Sequence, residues 1–204
     1  VDDHPLVRQG IRMLVGSEPD LEVCGEAEDA AGALRLLQDE GADVAVVDLT
    51  LKDSSGLDLI KDMHRRFPRV RVLVVSMRNE GLYAERALRA GAHGYVTKEE
   101  GPQEVLAGIR KVRAGEMHVS PRLASQLMSR IAAGAARQGG PPSVQNLTDR
   151  ELEVLELIGQ GLATGEVARR LHISPKTVDS HREHLKEKLG LSSAPELLKF
   201  AVQW

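Results

Sequence analysis

The chain is poor in several things at once, and each shortage excludes something. Cys24 is the only cysteine in 204 residues, so an internal disulfide and a cysteine-rich metal site are both ruled out. Aromatic residues make up 2% of the sequence, which leaves the core to Leu, Val, Ile and Ala. No apolar run approaches the ~20 residues of a membrane span, and no stretch reads as a signal peptide. The formal charge is −3, so there is no global nucleic-acid signature, and any such activity must rest on a local patch. Hydrophobic content of 42% and charged content of 28% are ordinary for a globular protein, and the reading is cytoplasmic.

What is present is a regular alternation. Helix-like Pro5–Ser17 precedes strand-like Glu22–Ala27, with Cys24 expected to be a small buried strand residue. Helical Ala30–Glu40 leads into the strand "VAVVD", Val44–Asp48. There follow helix Leu57–Arg66, strand Val70–Ser76, helix Leu82–Ala90, strand His93–Thr97 and helix Pro102–Ala114. Near-continuous apolar strands between amphipathic helices predict a parallel sheet covered on both faces, an α/β doubly wound domain. A strand is expected ahead of the acids in "VDDHP", at the centre of the sheet, which implies that residues upstream of Val1 belong to the natural protein.

The expected organisation is a first domain over 1–117, a helix and flexible linker over 118–146, and an all-helical domain over 147–204. Helix Pro121–Arg130 opens the middle segment, and the small residues, paired Gly and paired Pro of Ala132–Asn146 suit a linker. Thr148 followed by Glu151 is a capping-box signature, with Leu152, Leu155 and Ile158 as the buried stripe and Gly161 as the stop. A short helix, Thr164–Leu171, leads through a tight turn to Ser174 as N-cap and Pro175 at the first helical position. That next helix runs to about Leu189 with Gly190 as C-cap, and Pro195–Val202 closes a four-helix domain. Two helices across so tight a turn read as a helix-turn-helix.

In a doubly wound sheet the carboxyl ends of the strands border the binding crevice. Asp2 and Asp3 stand where an opening strand would end, Asp48 ends "VAVVD", Ser76 ends "VLVVS", and Lys98 follows "GYVT". Clustered carboxylates repel one another unless a hard cation such as Mg²⁺ joins them. Asp48 can also act as a nucleophile and form an aspartyl phosphate, while a lysine and a hydroxyl neutralise phosphoryl oxygens. Taken singly, an Asp after a strand is a helix cap and Lys98 beside Glu99 and Glu100 is surface charge. Matching chemistry at successive strand ends points instead to phosphoryl transfer.

With these residues in view, "VDDHP…VVDLTLKDSSGLDLI…VVSM…GYVTK" resembles the receiver domain of two-component response regulators. Together with the C-terminal half, the chain resembles the NarL/FixJ type, in which a receiver precedes a LuxR-type helix-turn-helix. The resemblance implies a flavodoxin-like sheet of order 2-1-3-4-5, with the first strand largely outside this chain. It implies that Asp48 accepts a phosphoryl group from a sensor histidine kinase. Asp3, Asp48 and the Thr50 carbonyl would ligate Mg²⁺, with Asp2 acting through water. Lys98 would bind a phosphoryl oxygen, Ser76 would be the switch hydroxyl, and Tyr95 the aromatic that follows it. Two departures stand out: Lys52 replaces a usual proline, with an effect on loop stiffness, and Met77 is bulkier than usual and expected to crowd the phosphoryl group.

The helix "PKTVDSHREHLKEKLG" carries the second expectation. At 100° per residue Val178, Leu185 and Leu189 share the buried stripe, with His181 packed beside it. Lys176, Asp179, Ser180, Glu183 and Glu187 face outward, Arg182 and Lys186 lie on one flank, and His184 and Lys188 on the other. The spacing suits pairs of Asp179 with Arg182 and of Glu183 with Lys186, and a groove-facing acid can accept from cytosine N4. Arg169, Arg170, Lys176, Arg182, Lys186 and Lys188 against Asp179, Glu183 and Glu187 leave +3. The expected DNA contacts are Arg170, Lys176, Thr177, Asp179, Ser180, Arg182, Glu183 and Lys186, on double-stranded promoter DNA and as a homodimer on two half-sites. The resemblance often has lysines at positions 179 and 183, which makes base preference particular to this chain.

Phosphorylation would then pull Ser76 inward, let Tyr95 follow, and change the surface of helices 82–90 and 102–114 for dimerisation or domain release. A receiver acting on a partner protein without DNA is the competing reading. An Asp-nucleophile phosphohydrolase is disfavoured, since Thr50 stands where such enzymes carry a second acid, and no Gly-rich phosphate loop is present.

Overall fold

The structure, a computed structural model, describes residues 1–51, 54–132 and 144–204. The chain divides into two compact units, Val1–Ala135 and Ala136–Trp204.

In the first unit three strands, β1 (Val44–Val47), β2 (Arg71–Ser76) and β3 (Gly94–Thr97), form a parallel sheet in the order β1-β2-β3. Helices α1 (Pro5–Gly16), α2 (Ala30–Asp39), α3 (Gly56–Arg66), α4 (Glu80–Ala90), α5 (Pro102–Arg113) and α6 (Pro121–Ala132) accompany it. Alternation along β2 sends Leu73 and Val75 to one face, where they join Val15, Val96, Val105, Ile109 and Val112 in a dry aliphatic cluster. Val72 and Val74 are equally buried, as are Leu57, Ile60 and Met63 of α3 and Ala84 and Ala87 of α4. Both faces of the central strand are therefore covered, which is why it reads as an unbroken apolar run.

Two expectations fail in one place. Residues 22–27 form no strand, and Cys24 is exposed, its thiol 3.4 Å from the Gly41 carbonyl. A β-strand is defined by its ladder, and among the described residues this segment takes a backbone hydrogen bond only at its end, where Asp2 N–H donates to Ala27 O. On the other side Asp48 N–H donates to Val1 O, so Val1 and Asp2 bridge residue 27 and the end of β1. Elsewhere the expected elements form within a residue or two of the expected bounds.

Ser120 ties α6 to α4. Its Oγ caps Leu123 N–H at 3.1 Å and donates to Glu80 Oε2 at 2.7 Å, while its backbone N–H donates to Glu80 Oε1 at 3.3 Å. The expected linker Ala132–Asn146 lies mostly outside the described residues; its end forms a short 3₁₀ turn, Val144–Asn146.

In the second unit α7 (Asp149–Gly159), α8 (Thr164–Arg170), α9 (Pro175–Leu189) and α10 (Ala194–Gln203) pack around Leu152, Leu155, Ile158, Val167, Val178, Leu185 and Leu197. The Thr148–Glu151 capping box is closed at both ends, and Ser174 accepts from Thr177 N–H to start α9. Gly190, at φ +68°, ends α9 in the left-handed conformation that glycine adopts without a steric cost. No helix of the described residues is long and apolar enough to cross a membrane.

Candidate functional site

Parallel register brings the carboxyl ends of β1, β2 and β3 to one edge, and with them Asp48, Ser76 and Lys98. Asp48 is 4% exposed and Ser76 fully buried. Lys98 Nζ donates to Asp48 Oδ2 at 2.6 Å and to Asp2 Oδ2 at 2.7 Å, so one ammonium spans two buried carboxylates. Ser76 Oγ donates to Asp48 Oδ1 at 2.6 Å, and Thr50 N–H approaches the same oxygen at 3.2 Å. Burial by itself would lower the Lys98 pKa, but the hydrogen bonds and charges of Asp2 and Asp48 outweigh it and hold it above the ordinary value. Lys98 is a cation at neutral pH, aimed at the carboxylate that would carry a phosphoryl group.

Asp2 is fixed by its own loop, accepting His4 N–H at 2.8 Å while its carbonyl takes Arg8 Nη1 at 2.6 Å. Asp3 Oδ1 is buried without a hydrogen-bond partner; His4 Nδ1 lies 2.7 Å away, close enough for an ion pair but without hydrogen-bond geometry. Among the described residues Asp2, Asp3 and His4 bring ligand atoms within 4.8 Å of one another. An unsatisfied buried carboxylate oxygen beside a second carboxylate suits a hard divalent cation. His4, exposed and adjacent in "DDHP", was not anticipated.

Tyr95 is 1% exposed and its hydroxyl donates to Arg78 O at 2.8 Å. Burial, with Asp48 nearby, pushes its pKa far above the ordinary value, so it remains a donor throughout the physiological range. Arg78 is a further residue that sequence reasoning missed. Its Nε donates to Thr50 Oγ1 at 3.1 Å, its guanidinium lies 5.2 Å from the Tyr83 ring centroid, and its backbone N–H is 3.4 Å from Ser76 Oγ. It thereby joins the loop after Asp48 to the loop after Ser76, and no spacing rule marks it. Gly56 opens α3 where a Cβ would stand 2.3 Å from Asp48 O and 2.5 Å from Leu49 Cα. Only glycine lets that helix meet the backbone at Asp48. Met77, the residue after Ser76, is 66% exposed. Lys52 lies outside the described residues.

On α9, Val178, Leu185 and Leu189 are buried, as the stripe requires, and His181 is half-buried, its pKa lowered by desolvation. Lys176, Thr177, Asp179, Ser180 and Glu183 are exposed, and so is Arg170 on α8. Glu183 pairs with Lys186 at 2.8 Å as expected. The Asp179–Arg182 pair does not form. Arg182 Nη1 donates instead to Thr164 Oγ1 at 2.8 Å, which holds the start of α8 against α9. Lys188 likewise turns inward, 2.7 Å from the buried Glu151 carboxylate.

Residues 1–110 match the response regulator receiver domain and residues 145–201 the LuxR family of bacterial regulatory proteins. The chain belongs to the NarL/FixJ-type response regulators. The oxygen regulatory protein NreC of Staphylococcus aureus (strain bovine RF122 / ET3-1) is 34% identical over 205 residues, covering 99% of this chain and 94% of that protein. The Staphylococcus carnosus NreC is 31% identical over the same share of each. Among solved structures, RcsB of Salmonella enterica serovar Typhimurium bound to a promoter with the phosphomimetic BeF3⁻ has a TM-score of 0.69 at 29% identity, covering 100% of this chain and 96% of that one. A second Salmonella typhimurium RcsB structure has a TM-score of 0.73 at 29% identity, covering 99% and 94%. This response regulator is thus a phosphorylation-dependent, DNA-binding transcription regulator, and the comparisons favour that reading over a receiver acting without DNA.

Proposed function

We propose that Asp48 is the phosphoacceptor of this regulator. The observation that carries the assignment is the single ammonium of Lys98 shared by Asp48 and Asp2 beside the Ser76 hydroxyl. An Asp48 carboxylate oxygen attacks the phosphorus of a phosphohistidine on a sensor kinase, the P–N bond breaks, and the imidazole leaves with a proton. Lys98 keeps its charge against the phosphoryl oxygens. Asp3, Asp48 and the Thr50 carbonyl would hold Mg²⁺, with Asp2 acting through water; bound there, the ion supplies positive charge against those oxygens. Ser76, freed from Asp48 Oδ1, donates to the phosphoryl group, and Tyr95 changes its hold on Arg78 O.

The signal then passes to a homodimer whose helix-turn-helix modules dock promoter DNA in the cytoplasm. Arg170, Lys176, Thr177, Asp179, Ser180 and Glu183 form the exposed docking face. Arg182 and Lys186, committed to Thr164 and Glu183, would have to exchange partners to join it. Neither carboxylate chemistry nor docking makes the chain an enzyme acting on a separate substrate. The test is phosphorylation by acetyl phosphate with Mg²⁺, followed by intact-protein mass and sedimentation. Wild type should gain one phosphoryl group and dimerise, and Asp48→Asn should do neither. Equal labelling of the variant would move the acceptor elsewhere.

A further inference from the structure

Residues 169–190 carry six Lys and Arg side chains, but the structure spends half of them internally. Arg182 is bonded to Thr164, Lys186 to Glu183, and Lys188 to the buried Glu151. Arg169, Arg170 and Lys176 remain, all exposed and with no side-chain partner among the described residues. They are not scattered. Arg169 and Arg170 close α8 and Lys176 is the second residue of α9, so all three flank the turn, residues 171–174.

Asp179 stands one helical turn beyond Lys176, exposed and likewise without a side-chain partner among the described residues. Ser180, its neighbour, spends its hydroxyl proton on the Lys176 carbonyl at 3.1 Å. A bare carboxylate carried into a groove loses its water and meets phosphate repulsion. It is tolerated there when it accepts a hydrogen bond from a base. The major groove offers two such donors, cytosine N4 and adenine N6. Adenine sets its N7 acceptor beside N6, which repels a carboxylate, whereas cytosine presents N4 with no acceptor on the same base.

From this we infer that the regulator grips its operator through the small cationic patch Arg169, Arg170 and Lys176, and that Asp179 reads a cytosine in each half-site. The inference rests on the DNA-binding function proposed above and names what that surface recognises. Asp179 is then a specificity-determining residue, and the phosphate contacts stay few because Arg182 and Lys188 are tied to neighbouring helices and Lys186 carries its own counter-charge in Glu183.

The experiment is a selection from random duplex DNA with the full-length chain, Mg²⁺ and BeF3⁻, run for wild type and for Asp179→Asn. A salt titration of the best duplex follows. Wild type should enrich a two-fold motif with one required cytosine per half-site. Replacing that cytosine should weaken binding roughly 5- to 100-fold. Asp179→Asn, whose amide complements adenine N6 and N7, should shift the preference at that position to adenine. A dimer using three cations per protomer should show a slope of log K against log salt of about −5, and one using all six about −11. The same motif from both proteins, or the steeper slope, overturns the inference while leaving the DNA-binding function intact. Binding of no duplex by wild type at low salt would remove the DNA-binding function itself, and the cytosine contact with it.

Discussion

The two working regions of this chain use charge in opposite ways. At the strand ends, Asp2, Asp48 and Lys98 are buried or nearly so, and the one ammonium meets a carboxylate oxygen of each aspartate at hydrogen-bond distance. On α9 the acids lie at the surface while Arg182, Lys186 and Lys188 are half-buried, and where pairs form they join a base to an exposed acid of the same helix or anchor it to a neighbouring helix. A buried charge is expensive unless its partners are fixed, whereas a surface charge interacts weakly and is free to meet a ligand. The receiver site is therefore built for a defined reaction geometry, and the reading helix for docking.

That contrast is open to test, beginning with the largest effect. Lys98→Met leaves Asp2 and Asp48 facing each other without their shared ammonium, and should slow phosphorylation by acetyl phosphate by ~100-fold or more. A time course of labelling checks it, and a loss below threefold would deny Lys98 its place at the phosphoryl oxygens. Glu151→Ala removes a capping-box acceptor and leaves Lys188 unpaired, and should cost the helical unit about 1–3 kcal/mol in chemical denaturation.

The pH responses should sit at opposite ends of the scale. For Lys98, burial is outweighed by its carboxylates and the folded pKa lies above 10.5; its stabilisation is complete below that value and lost as pH rises through the folded pKa. For Glu151, burial is outweighed by Lys188 and Thr148 and the folded pKa lies below 4.5; its stabilisation is present above that value and lost as pH falls through the folded pKa. An NMR titration of the Glu151 carboxyl carbon should show a midpoint below 4.5 that moves up in Lys188→Met. The smallest effect belongs to Lys186→Met. Its pair with the exposed Glu183, one turn away on the same helix, should be worth no more than about 0.5 kcal/mol in thermal melts, and a larger loss would erase the contrast between the two regions.

Much of this was legible in the sequence because strand ends announce themselves. An apolar run that stops at Asp48 or Ser76 fixes both the element and the edge to which the side chain is delivered. The stripe Val178, Leu185 and Leu189 fixed in the same way which face of α9 is outward. Illegible were the bonds between elements. Nothing in the spacing sends Arg182 to Thr164 rather than to Asp179, or Lys188 to Glu151, because those partners lie 18 and 37 residues away. Residues 22–27 were misread for a related reason: alternation describes a strand's faces, but hydrogen-bonded neighbours make the strand. Arg78 and Gly56 escaped notice because their roles come from close approach of two loops.

The scarcity of aromatic rings turns out to have a spectroscopic consequence. The chain's two tyrosines both touch one residue: Tyr83 lies beneath the Arg78 guanidinium, and Tyr95 donates to the Arg78 carbonyl. The single tryptophan, Trp204, is in the other unit. The tyrosine bands in absorbance and near-ultraviolet dichroism therefore report on the neighbourhood of one arginine. The conformational step that follows phosphorylation can be timed in the unlabelled protein, with no probe attached.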